Sequence, residues 1–437
     1  MTPVLLISYE APPRLSANAI YSAKLIRAIK AELPGEKNPP SIDLLCASPG
    51  DEVPTDEGLV DFLPDKIQVH QMEPYARGKQ TILQSIIGGQ GGWQRAAASK
   101  ARALFPAEHK KPALIYSLSH PPASHLVAME LATDTFKGVP WIAHFTQTWS
   151  QDPAIRSHVT RNALARYESQ VLRAATQLVF VSESLRDAMI PNPNDLETPE
   201  DKAVAEALRA KSRVIPYLYD LSLFTRAPLP HILQQDDPAL KQVAHVGDLS
   251  SGRSVETFIA GVARLRELFP ELAAKLSFWM VGPSDGQFAE SANIAHVMDQ
   301  MRMVPPLSYS QSLSVMESAD VLLAIESPPR TQFYFPSKLI EYLGAQKPIL
   351  AITPKGSLTA RLMDEWDQPW CDVEDPDSIA ACLRHIALGT LWPAPDPSFL
   401  EAYSAATVGK QIASTIADLI AEPQPAGYGG SDQQSHG

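Results

Sequence analysis

The sequence predicts an α/β protein made of two successive doubly wound domains. Three observations carry that expectation. At 437 residues the chain exceeds what one compact core accommodates and fits two domains of roughly 200 residues. Short apolar, β-branched runs alternate with amphipathic helical stretches, the pattern of parallel sheets covered by helices. Midway, a proline-rich stretch with the polar run Gln234-Gln235-Asp236-Asp237 interrupts the alternation, which then restarts.

In the first series, Val4–Ser8 reads as a strand and 19–33 as the helix that follows it. Further strand-like runs lie at 42–46, 67–70, 113–117, 141–145, 178–181 and 214–217, with a helical pattern at 154–174. The second series has strands at 243–246, 276–281, 321–325 and 349–352, and helices at 255–268, 309–317, 337–343 and 377–388. This places a first domain at 1–220, a linker at 221–241 and a second domain at 242–400. An amphipathic helix within 401–422 follows, and 423–437 lacks apolar periodicity and is expected to be disordered. The glycine-rich Gly88-Gly89-Gln90-Gly91-Gly92-Trp93 is expected to form a surface loop outside helix and strand.

Charge and cysteine usage narrow the class. Residues 1–225 hold 23 Lys and Arg against 24 Asp and Glu, whereas the remainder holds 14 against 25. An acidic second half is a poor match for nucleic acid, whose affinity rests on neutralising phosphates. The basic group Arg95, Lys100, Arg102, Lys110 and Lys111 reads as a solvated helix face. Cys46, Cys371 and Cys382 are widely spaced and odd in number, which argues against a disulfide framework or zinc site and for a cytoplasmic location. No apolar run approaches the roughly 20 residues of a membrane span, and the start of the chain enters a strand without a leader pattern.

Four segments carry chemistry. The most informative is 335–350, where Pro336 suits the first turn of a helix and the amides beginning at Ser337, Lys338 and Leu339 can hold an anion. Leu339, Ile340 and Leu343 form an apolar stripe, and Glu341 stands one turn beyond the amides, placed to reach a ligand bound across the helix start. In Val246-Gly247-Asp248-Leu249-Ser250-Ser251-Gly252-Arg253 a strand ends at a glycine and a helix begins beside an arginine, so backbone amides and a guanidinium fork can meet a diphosphate. The loop Tyr9 to Asn18 occupies the matching place after the first strand, with Ser16 or Asn18 able to cap the next helix. His144 ends the strand-like Trp141-Ile142-Ala143, on the edge where doubly wound sheets place ligands.

Other polar residues have plainer readings. Glu168 and Glu183 are expected to be helix residues explained by capping and solvation, with Ser182 as a cap. His120 and His125 lack a third ligand nearby, and Ser119 and Ser182 show no nucleophile-elbow spacing. Neither a dinucleotide glycine triad nor a phosphate-loop lysine motif is present.

These segments, in this order, resemble the retaining GT-B glycosyltransferases, in particular glycosyltransferase family four, over nearly the whole chain from Val4 to about Ile420. The resemblance implies that Glu341 grips ribose hydroxyls, that the helix start at Ser337, Lys338 and Leu339 faces the donor diphosphate together with Gly247, and that Arg253 stabilises the leaving group. It implies that Ser16, Ala17 and Asn18 approach diphosphate or acceptor, that His144 lies under the reacting sugar, and that the last helix crosses back onto the first domain. It further implies a nucleotide-sugar donor, a saccharide or lipid-linked saccharide acceptor, no metal or other cofactor, and peripheral contact with the inner membrane face.

The sequence departs from the family at four places. Asp248 stands where an arginine is common, and Ser16 and Ala17 replace a glycine pair. The segment from His144 to Trp149 lacks the aspartates of the nearest subgroup, and Phe333 stands eight residues before Glu341 where a glutamate is usual. Two readings therefore stay open: a retaining transferase of cell-surface polysaccharide type, and a catalytically degenerate subunit that binds nucleotide or a partner without turnover. Sugar-nucleotide epimerisation on the same architecture lacks its acidic residues.

Overall fold

The computed structural model of the protein describes residues 3–33, 40–50, 53–73, 91–106, 110–152, 155–224, 239–249, 255–283, 291, 293–326 and 333–421. The first sheet contains β1 (Val4–Ser8), β2 (Ile42–Ala47), β3 (Ile67–Met72), β4 (Leu114–Ser119), β5 (Trp141–Phe145), β6 (Gln177–Phe180) and β7 (Ser212–Val214) in the order β3-β2-β1-β4-β5-β6-β7. The second contains β8 (Lys241–Val246), β9 (Leu276–Val281), β10 (Met301–Val304), β11 (Val321–Ile325), β12 (Ile349–Ile352) and β13 (Trp370–Cys371) in the order β10-β9-β8-β11-β12-β13. All pairings are parallel. Central strands such as β1, β4 and β11 are buried along their full length, because helices cover both faces.

Each sheet thus starts in its middle and winds outward twice, which opens a crevice at the carboxyl ends of β1 and β4 and again at β8 and β11. Helix α1 (Ala17–Glu32) follows β1, and Ser16 caps it by accepting from the Ala19 amide at 3.2 Å. The strand expected at 214–217 is displaced. Pairing ends at Val214, while Ile215, Tyr217 and Leu218 are buried as the chain leaves the first domain. Strands β10 and β13 were not foreseen.

The glycine-rich stretch is also corrected in part. Residues 88–90 lie outside the described residues, but α2 (Gly91–Leu104) begins within the stretch, anchored by a wholly buried Trp93 set edge-on to Tyr9 at 5.0 Å. Burial of so large a ring offsets the entropic cost of glycines in the first turn. Glu168 is a second correction. It is buried, and its carboxylate accepts from the Trp149 amide and from the amide and hydroxyl of Ser150, so it shapes the loop after β5; burial pushes its carboxyl above the ordinary range. Cys371 and Cys382, distant in sequence, bring their thiol sulfurs to 3.6 Å.

The last described helix, α5 (Ala405–Ala421), lies along α1. Contact is close at Gly409, where an added Cβ would stand 2.8 Å from the Ala28 carbonyl oxygen. The outgoing chain at Tyr219 and the returning chain at Ser404 form a parallel bridge, with the Tyr219 amide donating to the Tyr403 carbonyl at 3.0 Å. Other links between the halves are Asp56, which accepts from the Tyr309 amide at 2.7 Å, and Arg361, which donates to Ser184 at 2.7 Å. No helix among the described residues is long and apolar enough to cross a membrane.

Candidate functional site

The two crevices face each other across a cavity of about 440 Å³. Its first-domain wall is the start of α1, with Ser16, Ala17, Tyr21 and Lys24. Its floor is formed by Gly247 after β8 and Gly282 after β9. These have φ of 132° and 130°, conformations that favour glycine. A Cβ added to Gly282 would press on the Gly247 carbonyl, 2.8 Å from its carbon. The opposite wall is Tyr309, which opens α3 (Tyr309–Ser318), together with Tyr334 and the start of α4 (Lys338–Ala345).

Glu341 is the chemical centre of this cavity. It is buried on α4, and its Oε1 pairs with the ammonium of Lys24, which also donates to the Leu218 carbonyl at 2.8 Å. Its Oε2 is buried with no hydrogen-bond partner, and so is the Tyr309 hydroxyl. Burial first, and then the nearby Glu341 carboxylate, hold the Tyr309 hydroxyl well above the usual phenol range. The two groups are near enough for the carboxylate to act on the phenol, yet neither completes a hydrogen bond of ordinary geometry, which is costly unless a ligand supplies it. The pair matches a ligand carrying hydroxyl groups.

The start of α4 differs from expectation in detail. Ser337 has helical φ and ψ and makes no side-chain cap. The Leu339 amide donates to the Pro336 carbonyl at 3.0 Å and the Ile340 amide to Ser337 at 3.1 Å. Leu339 is wholly buried and is not on the cavity wall, so its expected place among donor-binding residues is corrected. Pro336, Ser337, Lys338 and Glu341 do line the cavity, and so do Gly247 and Asp248. The Lys338 ammonium lies 2.9 Å from His245 Nε2 and rests over Gly247, where an added Cβ would approach it to 2.9 Å.

Of the remaining sequence candidates, Ser16 and Ala17 border the cavity, while Asn18 does not. Ser16 donates to Glu10 at 2.7 Å besides capping α1. Arg253 lies outside the described residues. The placement of His144 needs correction. Its ring is wholly enclosed, with Nδ1 2.6 Å from the Tyr116 hydroxyl and Nε2 3.4 Å from that of Tyr21, and Tyr21 rather than His144 reaches the cavity wall. Burial lowers its pKa to about 3, so the imidazole is neutral near pH 7. Phe333 is partly buried against the core, and its neighbour Tyr334 lines the cavity. Lys24, Tyr309 and His245 were missed. Among the described residues no group of three or more His, Cys, Asp or Glu is placed to hold a metal.

Two facing doubly wound domains with a cavity at the carboxyl ends of both sheets define a protein of the GT-B fold. More particularly, residues 42–194 match the family described as glycosyl transferase 4-like domain, which bears out the resemblance to family four. A Pseudomonas aeruginosa protein named "Probable glycosyltransferase WbjE" is 26% identical over 185 residues, covering 39% of this chain and 46% of that protein. The chain therefore spans about half the length of that relative. Among solved structures, a sucrose-phosphate synthase from Thermosynechococcus elongatus aligns with TM-score 0.59 and 16% identity over 96% of this chain and 95% of that one. An Escherichia coli trehalose-6-phosphate protein bound to UDP-2-fluoro glucose gives TM-score 0.58 and 13% identity over 97% and 100%. Anabaena HepE in complex with UDP gives 0.54 and 11% over 96% and 97%.

Proposed function

We propose that the protein is a glycosyltransferase that moves a sugar from a nucleotide-diphosphate donor to a hydroxyl acceptor with retention of configuration, in the assembly of a cell-surface polysaccharide or glycolipid. The observation that carries the reading is the buried Glu341 Oε2, unpaired beside the Tyr309 hydroxyl in a cavity between two doubly wound domains. Ribose hydroxyls complete that pair, while the diphosphate lies toward Gly247 and Lys338. The likeness to glycosyl transferase 4-like domains and to proteins solved with UDP and a UDP-sugar supports the same reading. Because Lys24 already holds Oε1, the ribose contact is made by Oε2.

Charge on the leaving group, which grows as the glycosidic bond breaks, is stabilised by Lys338 and the helix start at Ser337, with Arg253 as the further cation that the resemblance implies. Retention follows from same-face attack in which the leaving phosphate takes the acceptor proton, so no protein carboxylate pair is required. His144 acts in this scheme through Tyr21, whose ring forms part of the cavity wall.

Titration with UDP, GDP and ADP, followed by a donor-hydrolysis assay, tests the reading. Glu341→Gln is expected to weaken the bound nucleotide by about 1.5–3 kcal/mol, the range for hydrogen bonds to charged groups. Unchanged affinity in a folded variant would remove Glu341 from the ribose site. Arg253→Ala is expected to lower turnover more than nucleoside affinity, with Arg253→Lys restoring part. Equal losses for diphosphate and monophosphate would place Arg253 away from the β-phosphate. A protein that binds nucleotide and consumes no donor would favour the non-catalytic reading, for which Asp248 and Phe333 speak.

A further inference from the structure

We propose that His245 is a positioning residue that fixes the Lys338 ammonium at the phosphate end of the donor site; the inference rests on the donor reading above. His245 lies on β8, wholly buried and off the cavity wall, so it touches no ligand itself. Its Nδ1 is 2.9 Å from the Leu323 carbonyl oxygen on the neighbouring β11. A carbonyl can only accept, so Nδ1 carries the proton and Nε2 presents a lone pair. The Lys338 ammonium donates to that lone pair at 2.9 Å.

His245 holds the lysine without itself cancelling the charge. A carboxylate in the place of His245 would neutralise the lysine, whereas a neutral imidazole directs one of its N–H bonds and adds no opposing charge of its own. The anchor is itself held. Tyr342, on the same helix as Lys338, accepts from the Val246 amide at 2.9 Å and donates to the Leu323 carbonyl at 3.1 Å, the same oxygen that sets the imidazole tautomer. Strand β8, strand β11 and helix α4 thus meet in one hydrogen-bonded knot whose outer end is the ammonium over Gly247. Lysine has a flexible stem, and orienting it before a ligand arrives lowers the entropy lost on binding.

The test compares UDP, GDP and ADP with their monophosphates on the full chain, by calorimetric titration of the wild type, Lys338→Met, His245→Asn, His245→Gln and the Lys338→Met/His245→Asn double variant. Asparagine keeps a donor for Leu323 and loses the acceptor for Lys338; glutamine can place an amide oxygen near the position of Nε2. His245→Asn is expected to weaken the bound diphosphate about tenfold, a loss of about 1.4 kcal/mol, and to leave the monophosphate within about twofold. His245→Gln is expected to recover most of that loss, and the double variant to bind no more weakly than Lys338→Met. Equal losses for diphosphate and monophosphate, an unchanged ratio, or additive losses in the double variant would overturn the inference. The imidazole nitrogen shifts of His245 in the unaltered protein give an answer without substitution: Nε2 is expected to move on adding the diphosphate and to stay on adding the monophosphate, and an Nε2 unmoved by both would overturn it. A wild type that binds none of the three diphosphates would overturn the donor reading itself, whereas binding with His245→Asn indistinguishable from wild type would sink the positioning role alone.

Discussion

Lys24→Ala is expected to destabilise the protein by about 3–5 kcal/mol, the cost of leaving a buried charge without its partner. The lysine side chain is 4% exposed and that of Glu341 10%, so water reaches the stranded carboxylate only by way of the cavity. The Leu218 carbonyl loses its donor in the same step. The pair itself is not the source of the full figure, since both ions were desolvated to make it. A Lys24→Met/Glu341→Gln double variant is therefore expected to recover much of the loss, because no charge is then stranded. Urea unfolding of the two variants and the wild type measures both quantities. A loss below about 1 kcal/mol for Lys24→Ala would mean that the carboxylate finds water or another cation, and Glu341 would not be a stranded buried charge.

Gly282→Ala is expected to cost about 2–6 kcal/mol and to abolish nucleotide binding even where the variant still folds. At φ of 130° an L-residue is strained by about 1–3 kcal/mol, and the added methyl meets the Gly247 backbone rather than a side chain that could turn aside. Overpacking adds about 1–3 kcal/mol more. Relief requires β8 and β9 to part at their ends, which displaces the floor on which the phosphates are proposed to rest. Gly356→Ala makes a useful control, since it has φ of 77° but open space around the added methyl. It should show strain alone, with nucleotide affinity kept; equal effects at both glycines would locate the whole cost in φ.

What was legible in the sequence were patterns that repeat locally. The central strands are apolar runs four to six residues long bounded by helical periodicity, and most were placed within a residue or two. β10 has an exposed middle and β13 only two residues, so neither offers a period to detect. The run at 214–217 was read as a strand because burial, not pairing, makes a sequence apolar. In the site, Glu341 stood out through its distance from a helix start. Lys24 did not, because its partner is 317 residues away and a lysine in an amphipathic helix reads as solvated. His245 resembled any histidine in a buried strand; the 93 residues separating it from Lys338 hide the contact. Asn18 and Leu339 show the converse: the segments that hold them reach the cavity wall, and these two residues do not.

The bridge between Tyr219 and Ser404 joins the chain as it leaves the first domain to the chain as it comes back. Two connections laid edge to edge lie as the spine of a book, along the one line at which the chain passes between its covers. The ring contacts of Phe335 with Tyr217 and Tyr403 bind that spine to the segment leading into α4, the helix that carries Glu341 and Lys338. A chain cut before Ala405 would retain all thirteen described strands and every lining residue of the cavity. It would keep both covers and the edge that joins them, and lose α5, the strap that lies along α1.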